Sequence, residues 1–97
     1  MKRKTKMRVT SLLAFQEIIP KLESRELEVF RTIKSLGNCN NLMIAEHLKL
    51  PVNCITGRVF SLRDYGLVHF YKKDKCPYTN RTTIFWKIPS WVSEVMV

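Results

Sequence analysis

The stretch NLMIAEHLKLPVNCITGRVFSLRDYGLV, residues 41–68, contains two short helical patterns separated by the letters KLP. In the second pattern Ile55, Val59 and Leu62 recur at i, i+4 and i+7, which is the spacing of one buried helix face. The proline between the patterns predicts a turn. Gly57 lies inside the second predicted helix, where glycine costs roughly 0.5–1 kcal/mol relative to alanine. The stretch therefore predicts two helices joined by a turn, and it leaves Gly57 to be explained.

Two further helices are predicted upstream of this pair. In LLAFQEIIPKL, Phe15 and Ile18 fall on one face at helical spacing, and Pro20 is expected to end or kink the helix. The next helix is predicted to begin at Ser24, whose hydroxyl is the expected N-cap. Gly37 is expected to end that helix in a left-handed conformation. The chain thus has four predicted helices.

Asparagines are the expected N-caps of the paired helices. Asn40 or Asn41 precedes the third helix and Asn53 begins the fourth. An asparagine side chain at such a position can accept a hydrogen bond from an unpaired backbone amide. Gly66 is expected to end the fourth helix, which is therefore predicted over residues 53–65.

The period of the apolar residues changes after Gly66. The segments LVHFYKK, residues 67–73, and RTTIFWKI, residues 81–88, are rich in β-branched and aromatic residues, which predicts two strands. The polar loop between them makes an antiparallel hairpin with a basic tip. The predicted fold class is mainly α with a β-hairpin (α+β): a helix-turn-helix of a four-helix unit, followed by a two-stranded wing.

With this order of elements the sequence resembles the small winged helix-turn-helix DNA-binding proteins of phages and prokaryotes. The resemblance rests on LPVNCITGRVFSLRDYGLV, residues 50–68, together with RTTIFWKI, and it covers about residues 10–88. Members of that family often have a glycine before the arginine that opens the second wing strand. Asn80 stands there in this chain, and asparagine also tolerates a left-handed backbone. The resemblance implies double-stranded DNA as the partner and transcription regulation as the function.

The resemblance also implies that the fourth helix enters the major groove and that the wing contacts the DNA backbone or the minor groove. Thr56 suits a phosphate or a thymine methyl, and Arg58 suits guanine or a phosphate. Asn53 is expected either to read adenine or to serve as the cap. Gly57 lets the helix backbone approach DNA, or else it makes room for Ala45 or the N-terminal arm. The expected DNA contacts are Asn53, Cys54, Thr56, Gly57, Arg58 and Ser61 on the helix, and Arg81 with two of Lys72, Lys73 and Lys75 on the wing.

The net charge of +9 is concentrated in two places. Residues 1–9 carry five positive charges and no negative one, and residues 67–88 carry five positive charges against Asp74. Such basic segments suit a polyanion, or they keep the protein soluble. Residues 1–9 are predicted to be a disordered arm, whose Arg3 and Lys4 are expected in a minor groove. Residues 10–88 are the predicted domain, and residues 89–97 a C-terminal tail.

Other classes of function find little support in the sequence. The cysteines are Cys39, Cys54 and Cys76, and neither they nor the two histidines have the spacing of a zinc site. We expect no catalytic residue, no metal, no cofactor and no small-molecule ligand, hence no enzyme. No apolar run reaches the roughly 18 residues that a membrane span needs. A cytoplasmic location is expected, at the nucleoid or in a host cell if the protein is viral.

Three alternatives to a transcription regulator stay open. Winged helices also serve as docking modules, and the apolar segments LLAFQEII and WVSEVMV favour a homodimer or another protein partner. An accessory role in replication or recombination would use the same DNA contacts. RNA or single-stranded binding is less favoured, because the predicted strands lack a row of exposed aromatic residues.

Overall fold

The computed structural model describes residues 12–89 of the chain, with side chains from residue 15 onward. The predicted arm, including Arg3 and Lys4, and the segment WVSEVMV lie outside the described residues. In chain order the elements are α1 (Leu12–Ile18), a 3₁₀ turn (Ile19–Lys21), α2 (Ser24–Leu36), β1 (Asn38–Cys39), α3 (Asn41–Leu48), α4 (Val52–Tyr65), β2 (His69–Lys75) and β3 (Thr82–Lys87). The predicted class, four helices with a hairpin, is confirmed.

The sheet has three antiparallel strands in the order β1-β3-β2, whereas the sequence predicted only the hairpin of β2 and β3. The additional strand is the two-residue β1, in which Asn38 pairs with Lys87 and Cys39 with Trp86. Two residues are too few to show a period of two, and the pairing joins positions far apart in sequence. For both reasons β1 leaves no signal in the sequence.

The core lies between the helices and the inner side of the sheet. The predicted stripe of α4 is confirmed, because Ile55, Val59 and Leu62 are all buried. Burying one such aliphatic side chain is worth roughly 1.5–3 kcal/mol, so the stripe fixes the side of α4 that faces inward. It belongs to one core cluster with residues of every other helix and of the sheet, among them Phe15, Ile18, Val29, Phe30, Ile33, Ile44, Leu67 and Trp86.

The helix ends agree with the sequence at most positions. The α-helical part of the first helix stops at Ile18, and Pro20 lies in the 3₁₀ turn that follows. Gly37 and Gly66 follow α2 and α4 with φ of 84° and 83°. The cap of α2 differs from the prediction. Ser24 is the first helical residue, and Glu23 forms a capping box with Glu26, whose carboxylate accepts from the Glu23 amide at 3.1 Å.

The two asparagines predicted as caps of the paired helices behave differently. Asn40 caps α3: its Oδ1 accepts from the Met43 amide at 2.8 Å, and its Nδ2 donates to Thr83 Oγ1 at 2.9 Å. Asn53 does not cap α4, and this prediction was wrong. The helix begins one residue earlier, at Val52, and Pro51 occupies the N-cap with an extended backbone (φ −61°, ψ 144°). Proline already holds the φ that the cap needs, so Asn53 becomes an exposed helical residue.

The two asparagines provide a matched test of this difference. We expect Asn40→Ala to lower the free energy of unfolding by about 1–3 kcal/mol, because it removes the hydrogen-bond partner of the Met43 amide and of Thr83. Asn53→Ala should change it by less than about 0.5 kcal/mol, as expected of an exposed site. Urea unfolding of both variants checks this, and equal losses would contradict the assignment of the caps.

Candidate nucleic-acid interface

Helix α4 presents one exposed face, on the side opposite to its buried stripe. Successive helical residues are about 100° apart, which places Asn53, Thr56, Gly57 and Phe60 together on that side. All four are exposed. We call these four residues the outward face of α4. Cys54 and Ser61 lie at its edge, Cys54 exposed and Ser61 partly buried.

Gly57 sits in the middle of the outward face. A Cβ atom built at this position meets no atom of the described residues within 4 Å, and the backbone there is ordinary helix. The proposed need for room beside Ala45 is therefore wrong, because nothing packs against Gly57 from α3. The alternative that involves the N-terminal arm lies outside the described residues. Gly57 leaves a bare patch of helix backbone on the surface.

The structure does not bring Arg58 together with Thr56 and Gly57. Arg58 lies at the flank of α4 towards α2, where its Nη1 is 3.3 Å from Glu23 Oε1. Its Nε is buried and has no hydrogen-bond partner among residues 12–89. Side chains of this pair are 42% and 66% exposed, and such exposed ion pairs contribute little to stability. Arg58 is thus loosely held beside the start of α2.

Phe60 is a residue of the outward face that was absent from the predicted site. Its side chain is 53% exposed. The signal was available in the sequence: Phe60 falls outside the spacing of Ile55, Val59 and Leu62, and it follows Thr56 by four residues. Because phenylalanine is usually a core residue, its apolar character concealed this position.

Arg63 and Trp86 join α4 to the hairpin. The guanidinium carbon of Arg63 lies 4.6 Å from the centre of the Trp86 ring, a distance typical of a cation–π contact. Trp86 Nε1 donates to Asn41 Oδ1 at 2.9 Å. One side chain of β3 therefore contacts both helices of the helix-turn-helix.

The hairpin has two different faces, which its register defines. Lys73 is opposite Ile84 and Lys75 is opposite Thr82, and opposed residues of an antiparallel pair point to the same face. Ile84, Thr82 and Trp86 line a groove of about 510 Å³ together with Val52 at the start of α4 and Leu42 of α3. Lys73 and Lys75, both exposed, are thus on the face of the hairpin that is turned towards α4.

Lys72 belongs to the other face. It is opposite Phe85, and its Nζ lies 3.0 Å from Asp74 Oδ2 and 5.4 Å from the centre of the Phe85 ring. Hydrogen bonds from the Lys72 ammonium and from the Lys75 amide keep the pKa of the Asp74 carboxyl below its ordinary value. Of the three predicted wing lysines, Lys72 is therefore the one whose ammonium is paired with this carboxylate.

The loop between β2 and β3 is tightly closed. The Cys76 amide donates to the Arg81 carbonyl and the Asn80 amide to the Cys76 carbonyl, both at 2.8 Å. Asn80 has a left-handed backbone with φ of 62°, as expected where the family often has glycine. Arg81 follows it as an exposed residue immediately before β3, at the tip of the hairpin.

Two buried cysteines have opposite pKa shifts. Burial raises the pKa of Cys39 to about 12. Burial also raises the pKa of Cys76, but hydrogen bonds from the Asn40 side chain, from the backbone of Tyr78 and from Thr79 together outweigh it, and the pKa is lowered to about 7.

Across residues 12–89, no group of three His, Cys, Asp or Glu side chains is placed to hold a metal ion. In the same range no helix has the length and apolar character to cross a membrane.

The fold has clear structural relatives. A double mutant of ZitR from Lactococcus lactis superposes with a TM-score of 0.60 at 18% sequence identity, over 95% of this chain and 57% of its own. YusO of Bacillus subtilis gives 0.56 at 18%, over 81% and 60%. MarR of E. coli in its reduced form gives 0.59 at 14%, over 91% and 72%. The chain has a winged helix-turn-helix fold.

This likeness concerns the fold alone, because the sequence identities are low. The chain spans about 60% of the length of YusO and 57% of that of ZitR. A single-site mutant of E. coli MarR in complex with operator DNA superposes with a TM-score of 0.58 at 14% identity. No protein-family model matches the chain. No curated protein sequence matches it either.

The two glycines next to open space test the reading of Gly57. We expect Gly57→Ala to raise the free energy of unfolding by about 0.5–1 kcal/mol, because alanine gains helix propensity and meets no described atom. Gly37→Ala is the matched control. It also meets no described atom, but its φ of 84° should make it lose about 1 kcal/mol. Urea titrations measure both, and a loss of stability at Gly57 would show that a neighbour packs there.

The pKa of Cys76 predicts a pH-dependent stability. Between about pH 7 and pH 9 the native thiol is ionised while the unfolded thiol still binds its proton, so the unfolded state binds more protons and stability rises with pH. Wild type should therefore gain stability relative to Cys76→Ser from pH 7 to pH 9, and lose that gain as the pH falls through 7. Denaturant unfolding at several pH values measures the difference in the free energy of unfolding. A difference that does not change with pH would contradict the lowered pKa.

Proposed function

We propose that the protein binds double-stranded DNA and regulates transcription, with α4 in the major groove and the wing on the backbone or in the minor groove. The observation that carries this proposal is the position of Lys73 and Lys75. They are exposed on the hairpin face that also carries Thr82, Ile84 and Trp86, and these three residues line a groove with Val52 of α4. A concave surface with positive charge on one wall suits a polyanionic duplex.

The outward face of α4 is suited to contact with base edges. Asn53 can pair with adenine, and Thr56 offers its methyl group, since its hydroxyl already donates to the Val52 carbonyl at 3.2 Å. Gly57 adds no side chain that would hold the helix away from the groove. In the proposal, Cys54 and Ser61 at the edge of this face contact the sugar-phosphate strands. None of the four residues of this face is a cation, and therefore most of the electrostatic attraction must come from elsewhere.

The wing and the flank of α4 supply that attraction in our proposal. Lys73, Lys75 and Arg81 are exposed and contact phosphates. Lys72 contributes less to this attraction, because it lies on the other face of the hairpin and beside the carboxylate of Asp74. Arg58 reaches a phosphate by exchanging Glu23 for it, which the weak, exposed pair allows at low cost. The predicted arm with Arg3 and Lys4 adds contacts in the same proposal.

A protein-docking module is the second candidate, and the exposed aromatic residues favour it. Phe60 and Phe70 are 53% and 51% exposed and border one cavity of about 320 Å³. Self-association through that surface would make the protein a homodimer. It would not require lysines on the groove side of the wing, so salt-dependent DNA binding separates the two candidates. Replication and recombination factors would bind DNA through the same residues.

The face of the hairpin on which a lysine lies predicts whether it contributes to DNA binding. For a mixed-sequence duplex, each phosphate contact adds about 0.9 to the slope of log affinity against log salt. The double variant Lys73→Ala/Lys75→Ala should reduce the slope by about 1.8, because both lysines contact phosphates. Fluorescence anisotropy titrations at several salt concentrations measure this slope.

The matched control removes two lysines from the other face. Lys72→Ala/Lys87→Ala changes the net charge equally, but Lys72 is paired with Asp74 and the Lys87 ammonium lies 5.0 Å from the centre of the Tyr71 ring. Its slope should stay close to that of wild type. Equal loss in both variants would show that only overall charge matters, and absence of salt-dependent binding by wild type would refute the proposed function.

A further inference from the structure

Phe60 is a large apolar side chain on the one helix face that the proposed function brings against bases. We propose that Phe60 contacts the C5 methyl group of a thymine in the major groove and thereby selects thymine at one position of the target site. This inference rests on the proposed function, and it goes beyond it by assigning a base to one residue.

The position of Phe60 on α4 supports the contact. It lies one turn beyond Thr56 and Gly57 on the outward face, and the stripe of Ile55, Val59 and Leu62 is on the opposite side. Its side chain is 53% exposed. Since nothing among the described residues stands within 4 Å of a Cβ at Gly57, the backbone one turn away can approach a groove closely. A close approach brings the neighbouring ring onto the base edges.

The chemistry of the base edges in the major groove determines which base an apolar ring prefers to contact. The edges of guanine, cytosine and adenine present hydrogen-bond donors and acceptors there, and thymine adds a methyl group. A phenyl ring cannot replace the hydrogen bonds with water that those polar groups lose, so its contact with them is unfavourable. Contact with the methyl group buries apolar surface on both sides and is favourable. Phe60 therefore discriminates by polarity, without a hydrogen bond.

The surroundings favour DNA over a protein as the occupant. Phe60 shares a cavity of about 320 Å³ with Arg63, Asp64, His69 and Phe70, and an apolar partner could also use it. The same helix face, however, continues into Gly57 and Thr56, and the hairpin that contacts α4 through Trp86 carries the exposed Lys73 and Lys75. That combination of a bare backbone and nearby positive charge matches a polyanion with exposed bases.

Uracil substitution tests the contact at the level of a single methyl group. The preferred duplex is first selected from a random pool with wild-type protein, and each thymine in it is then replaced singly by uracil. Wild type should bind about four-fold more weakly at one or two positions, the value expected for one methyl group removed from an apolar contact. Phe60→Ala should bind the thymine and uracil duplexes equally at those positions, while its salt slope stays that of wild type.

Two variants control this experiment. Phe70→Ala removes an equally exposed phenyl ring from the strand, and it should keep the full sensitivity to uracil. Phe60→Leu keeps an apolar side chain and should keep part of the sensitivity to uracil. This variant guards against a general effect of truncating the side chain. Circular dichroism and urea unfolding verify that each variant is folded.

The possible failures are distinguishable. Full uracil sensitivity in Phe60→Ala, loss of it in Phe70→Ala, or no sensitive thymine in a selected site would each overturn the role of Phe60 while leaving DNA binding intact. A pool that yields no preferred sequence, with steep salt dependence retained, would overturn it in the same way. Absence of duplex binding by wild type would overturn the proposed function itself, and Phe60-dependent self-association would then favour the docking module.

Discussion

The indole of Trp86 fixes the distance between α4 and the wing, and most of the candidate interface depends on it. Arg63 of α4 lies over its ring, and Asn41 of α3 accepts its N–H. Its backbone belongs to the central strand, between Cys39 and Phe70 of the two neighbours. A buried indole with its hydrogen bond satisfied contributes apolar burial and a fixed direction together. The groove between helix and hairpin is therefore set by packing within the protein, before any partner arrives.

In the proposed complex, positive charge and the side chains that face the bases occupy different parts of this surface. Each arginine of α4 contacts another residue of the protein: Arg58 is paired with Glu23 at the surface, and Arg63 lies over the Trp86 ring. The outward face keeps only small, amide and apolar side chains. The exposed lysines lie on the hairpin instead. In the proposed complex the wing therefore supplies most of the affinity, which salt weakens, and the helix supplies discrimination between bases, which salt affects less.

Local patterns in the sequence were sufficient for the elements, and pairings across the chain were not visible in it. Helical spacing identified the buried side of α4. The residue type alone was enough to predict the positive φ or the helix cap at Gly37, Asn40, Gly66 and Asn80. The strand β1 depends on partners almost fifty residues away. For the site, the spacing identified Asn53, Cys54, Thr56 and Gly57 as exposed positions. It did not reveal that Arg58 turns to α2, and Phe60 was overlooked because apolar residues were assigned to the core.

The register of the hairpin shifts between Phe70 and Lys72, and this irregularity determines the charge of the groove. One extra residue, Tyr71, stands in β2, and every residue after it changes face. With regular pairing from Phe70 onward, Lys72 and Asp74 would point towards α4 and their charges would cancel. With the bulge, Lys73 and Lys75 point there, and the local charge is positive. A single unpaired residue in the strand thus makes this wall basic, without any lysine being added or removed.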